Sequence, residues 1–99
     1  MSTQTGIAQV QLLNRVLASK DITILAGLSK DHFFVYPDEY DFIVSHYKEY
    51  GVVPDMETFI DHFPDFQRLE VSESVDYLIK KLIDDLFYKK MIPITSDFN

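Results

Sequence analysis

From Glu73 to Met91 the chain runs without a glycine or a proline. Within that run Val75, Leu78, Ile79, Leu82, Ile83, Leu86 and Phe87 recur at spacings of three and four, the pattern of a wide apolar helical stripe. At ~1.5 Å per residue such a helix is roughly 28 Å long. In a chain of 99 residues, with room for one core, it crosses the whole domain. Everything upstream must therefore supply elements that cover it. Ser72 is the expected N-cap and Pro93 the expected stop.

The upstream sequence supplies helices. Ile7, Val10, Leu13 and Leu17, widened by Leu12 and Val16, predict a first helix from Ile7 to Ser19, with Gln9, Gln11, Asn14 and Arg15 on its polar side. A short apolar turn, Ile22 to Leu25, follows Asp21 as its cap. Residues 28–36 form a connector carrying Phe33 and Phe34. Pro37 suits the first position of the next helix, because its missing N–H would be unpaired there. Asp38, Glu39 and Asp41 favour that helix's positive end. Tyr40, Ile43, Tyr47 and Tyr50 continue it until Gly51. Asp55 is the expected cap of a short helix, Met56 to Phe63, broken by Pro64. Phe66, Leu69 and Val71 predict that the loop over 64–71 packs down. No segment alternates as a strand with hairpin turns does. The expected fold is all-α, a compact bundle of about five helices with a long C-terminal helix. Residues 1–6 are read as a flexible N-terminus, 7–92 as the domain and 93–99 as a frayed end.

Composition narrows the chemistry. There is no cysteine, which excludes disulfides and thiolate metal sites. The polar start lacks a signal peptide's basic and apolar regions, and no apolar run approaches a membrane span, so a cytoplasmic protein is expected. Net charge is −7. Residues 31–70 hold ten acids against Lys48 and Arg68, and that acidic middle repels phosphate, so direct nucleic-acid binding is not expected. It is either a solvated face or a docking face for a basic partner.

No catalytic centre can be assembled from the motifs. Gly6, Gly27 and Gly51 are too far apart for a phosphate loop. His32, His46 and His62 show no metal-ligand spacing; His46 with Glu49, or His62 with Asp65, supplies two ligands at most. No serine has a base beside it, and the carboxylate pairs Asp38/Glu39 and Asp84/Asp85 are adjacent residues that point apart on a helix. Lys80, Lys81, Lys89 and Lys90 read as a solvated face, with Asp85 and Lys89 in the favourable ion-pair order. No catalytic residue, cofactor or metal ligand is assigned. The candidate interface is the end of the long helix, Leu86, Phe87, Met91 and Ile92, which either packs on its own domain or contacts a partner.

One set of motifs points to a family. Asp31-His32-Phe33-Phe34, Tyr40-Asp41-Phe42-Ile43, Tyr50-Gly51-Val52-Val53-Pro54-Asp55 and Thr58-Phe59 follow in that order. Phe63-Pro64-Asp65-Phe66 and Glu73-Ser74-Val75-x-Tyr77-Leu78 come after them, and Leu12 to Leu17 fits in front. Over roughly residues 10–92 this resembles the N-terminal domain of DnaB-like replicative DNA helicases, in their phage and mobile-element branch. The resemblance implies a non-catalytic domain that supports a hexameric ring through self-association and recruits primase or a helicase loader in DNA replication. ATP and magnesium would belong to a RecA-like domain elsewhere in such a protein. In the family a helical hairpin follows the globular part and makes much of the ring and primase contact; this sequence reaches only its beginning. The loop over 64–71 is also shorter than in many members. The alternative is a stand-alone helical adaptor or inhibitor of a helicase or primase.

Overall fold

The computed structural model describes the backbone of residues 6–96 and the side chains of residues 6–90. Four α-helices form: α1 (Ile7–Ser19), α2 (Pro37–Tyr50), α3 (Met56–His62) and α4 (Val75–Ser96). Two 3-10 turns, Ile22–Leu25 and Lys30–Phe33, lie between α1 and α2. No strand forms among the described residues, so the fold is the expected small all-α bundle.

α1 is the central element. Leu12, Leu13, Val16 and Leu17 are buried, but so are Gln9 and Asn14, which the sequence places on the polar side. At ~100° per residue the buried positions cover about two-thirds of the helix circumference. Ile7, expected in the stripe, is exposed instead. The reason is that α1 is covered from two directions, by α4 on one side and by the 64–71 segment on the other. Asn14 makes the second contact possible. Its Nδ2 donates to the carbonyls of Val10 (2.8 Å) and Gln67 (3.0 Å), and its Oδ1 accepts from Leu69 N–H (3.0 Å). Gln9 Oε1 likewise accepts from Val35 N–H at 3.0 Å. Gly6 precedes α1 at φ 99°, buried, with its carbonyl accepting from Val10 N–H. It belongs to the fold rather than to a flexible terminus.

α2 begins at Pro37 and stops at Gly51, whose φ of 76° is open to glycine at little cost. The Gly51 N–H closes the helix on the Tyr47 carbonyl at 2.7 Å. Phe33, fully buried, stacks on Tyr40 at 5.0 Å, fastening the second 3-10 turn to α2. That turn is missed by the connector reading. A reciprocal cap holds it: Ser29 Oγ accepts from Asp31 N–H and His32 Nδ1 accepts from Ser29 N–H. The Tyr40 hydroxyl donates to the Leu28 carbonyl at 3.2 Å, and burial pushes its phenol above the ordinary value. An aromatic cluster joins α2, α3 and the following loop. Phe59 is buried at its centre, 4.8 Å from Phe66, 5.0 Å from Phe63 and 6.0 Å from Phe42. Asp55 makes no capping bond to α3; its carboxylate pairs with Lys20 at the end of α1.

α4 departs from expectation at both ends. Ser74, not Ser72, caps it: Ser74 Oγ accepts from Tyr77 N–H at 3.1 Å. The cause lies on α1, where Arg15 Nη2 donates to the Glu73 carbonyl at 2.7 Å and holds residues 71–73 out of the helix. At the other end α4 passes Pro93 and ends at Ser96. A proline so near the end forfeits one backbone bond where few turns remain to be disturbed. Residues 93–96 are thus helical, and 97–99 lie outside the described residues. Twenty-two residues at ~1.5 Å per residue span ~33 Å. The short dimensions of the molecule are 27 and 26 Å and the long one 47 Å. Among the described residues no helix is long and apolar enough to cross a membrane.

Candidate interaction face

The apolar residues of α4 divide between two sides. Leu78 and Leu82 are buried against α1, with Val75, Ile79 and Leu86 half-buried beside them. Ile83 and Phe87, one turn apart, face outward at 49% and 65% exposure. Tyr77 and Tyr88 are exposed on a third flank, at 52% and 68%. A helix with apolar side chains on more than its core face is usually covered twice. The wide stripe read from the sequence is therefore not one surface. Its inner half is core, and its outer half has no partner among the described residues.

Of the four interface candidates, Leu86 and Phe87 are placed and are not equivalent. Leu86 is half-buried and lines a cleft of about 360 Å³ with Lys30, Asp31, Phe34, Pro37, Lys89 and Lys90. Phe87 stands clear of that cleft. The side chains of Met91 and Ile92 lie outside the described residues, although their backbone continues the helix.

The cleft has its own electrostatics. Lys89 Nζ sits 5.5 Å over the Phe34 ring, a cation–π contact. It therefore does not make the expected pair with Asp85. Asp85 instead pairs with Lys81 at 3.0 Å and Asp84 with Lys80 at 3.3 Å, both one turn back. Lys30 pairs with Asp41 at 2.7 Å, and that hydrogen-bonded carboxylate holds its ammonium above the ordinary value.

The histidines serve three local purposes. His32 caps the second 3-10 turn, and His46 Nδ1 donates to the Val52 carbonyl at 3.0 Å. His62 stacks on Phe42 at 4.5 Å, with His46 at 6.0 Å from the same ring. Sequence spacing hid that proximity, since α2 and α3 meet only in the folded chain. Among the described residues no three His, Cys, Asp or Glu side chains are grouped to hold a metal ion. No family model, curated protein or solved structure matches this chain.

Proposed function

We propose that this chain is a non-catalytic interaction domain, the N-terminal domain of a DnaB-like replicative DNA helicase that supports ring assembly and recruits primase or a loader. The observation that carries the reading is the uncovered part of α4, where Ile83 and Phe87 are exposed on one flank and Tyr88 on another of a helix whose inner side is core. Large exposed aromatics on a rigid element are what a protein interface uses. The proposed contact takes in Met91 and Ile92, through which the helix backbone continues. The helicase part of the reading is supported by the order of the motifs and by their positions. Asp31-His32-Phe33-Phe34 spans the 3-10 turn packed on α2, and Tyr50 to Asp55 makes the stop of α2 and the approach to α3. In this reading ATP, magnesium and translocation belong to a RecA-like part of the same cytoplasmic protein.

The test is association. Phe87→Glu should convert oligomers of the domain to monomer and abolish retention of primase or loader, while its thermal melt stays unchanged. Light scattering, pull-down and circular dichroism read the three effects. A wild-type domain that stays monomeric at high concentration and retains neither protein refutes the reading. The gene beyond Asn99 should run through a linker into Gly-x-x-x-x-Gly-Lys-Ser/Thr.

A further inference from the structure

A second concave surface lies away from α4, between α2 and α3. It is a cleft of about 470 Å³ lined by Phe42, Ser45, His46, Glu49, Tyr50 and Thr58. Its floor is aromatic and held from behind. Phe42 is braced edge-on by Phe63 at 5.6 Å and Phe59 at 6.0 Å and stacked on by His62. Its wall is the His46 ring, 4.8 Å from Tyr50 and fixed by the bond to the Val52 carbonyl. Tyr50 is 64% exposed, and Val52 beside it is also exposed. The rim carries two hydroxyls, Ser45 and Thr58, and the Glu49 carboxylate. No lysine or arginine lines it.

These features select one ligand chemistry. Aromatic faces attract a cation through the ring quadrupole, and a carboxylate at the rim adds a hydrogen-bonded counter-charge. The surroundings reinforce the sign. Residues 31–70 carry ten acids and two bases, and ion pairs among the described residues engage only Asp41 and Asp55 of those acids. A planar guanidinium suits the site better than an ammonium, because it stacks on an aromatic ring while its N–H fork meets a carboxylate. We propose that the α2–α3 cleft receives an arginine side chain from a basic segment of a partner protein. This rests on the reading of the chain as an interaction domain and names a second contact surface on it.

The probes are synthetic peptides of roughly ten residues in a Gly/Ser background, bearing two arginines, two lysines or two glutamates. Each is titrated into the ¹⁵N-labelled chain at roughly 0.15 M salt, where attraction between exposed charges is screened beyond ~8 Å. The arginine peptide should shift the amides of residues 45–50 and Thr58 saturably, and bind severalfold more tightly than the lysine peptide. Glu49→Gln and Tyr50→Ser, both at exposed positions, should each weaken binding about fivefold with spectral dispersion intact. The proposal is overturned if the shifts spread evenly over the acidic helix faces, if either variant binds as wild type, if lysine equals arginine, or if no shift occurs. Phe87→Glu should leave this titration unchanged, so failure of the cleft and failure of the α4 face are separable.

Discussion

Replacing Asn14 by leucine removes a buried hydrogen-bonding side chain and puts a bulkier apolar one of the same branched shape in its place. Asn14 is fully buried and makes three bonds, two of them to the 64–71 segment. The Val10 carbonyl keeps its helical partner, so two groups lose theirs, the Gln67 carbonyl and the Leu69 N–H. An unsatisfied buried polar group costs ~1–3 kcal/mol, and the added apolar burial of leucine offsets part of the total. The expected net loss is about 2–4 kcal/mol. For a domain of this size each kcal/mol moves Tm by ~4–8 °C, so the melt should fall by roughly 8–32 °C. Urea unfolding followed by circular dichroism gives the free energy, and hydrogen exchange at the Leu69 amide reports the local anchor. A loss below about 0.5 kcal/mol, or unchanged protection at Leu69, would show that the loop is held by Phe66 and its neighbours alone. Asn14→Asp keeps the acceptor for Leu69 but sets oxygens against two carbonyls, and should be at least as damaging at neutral pH.

The two sides of α4 should respond in opposite ways to truncation. Leu82→Ala, in the core, should cost ~2–5 kcal/mol, whereas Phe87→Ala should change the monomer's stability by less than about 0.5 kcal/mol, both read from urea midpoints. The Lys20–Asp55 pair gives a pH signature. The hydrogen bond and charge of Lys20 hold the Asp55 carboxyl below its ordinary value. Its contribution is complete above the ordinary carboxylate range and is lost as pH falls through the depressed value. Asp55→Asn should therefore flatten part of the acid limb of stability against pH, and an unchanged limb at low salt would refute the assignment. Both groups are largely exposed, so the effect should shrink with added salt.

Much of the fold was legible because its signals are local. The bounds of α1 and α2 follow from apolar spacing, Pro37 and Gly51, and each of those acts within one turn of itself. The apolar members of the 64–71 loop, Phe66, Leu69 and Val71, foretold that it packs down. The errors occur where a distant group decides. Ser72 and Ser74 are equivalent caps in sequence, and Arg15, nearly sixty residues upstream, chooses between them by holding the Glu73 carbonyl. Gln9 and Asn14 have the composition of a solvated face until the Val35 N–H needs the amide oxygen of the first and the 64–71 loop needs the amide of the second. Lys89 fits an ion pair with Asp85 until Phe34 offers a ring.

The apolar stripe of α4 shows the same division. Sequence alone determined that the chain from about residue 75 onward is a long helix with more apolar surface than one core face requires. Periodicity fixes such things, because it depends only on residues three and four apart. Which part of the stripe is core was decided by tertiary structure. α1 and the second 3-10 turn pack on the side of α4 that carries Leu78 and Leu82, and Ile83 and Phe87 project from another side. The cleft between α2 and α3 was likewise invisible in the sequence. Phe42 and Glu49 are seven residues apart and share a face of α2, but Thr58 has no spacing relation to them, and only the packing of the two helices against one aromatic cluster brings it to a common rim.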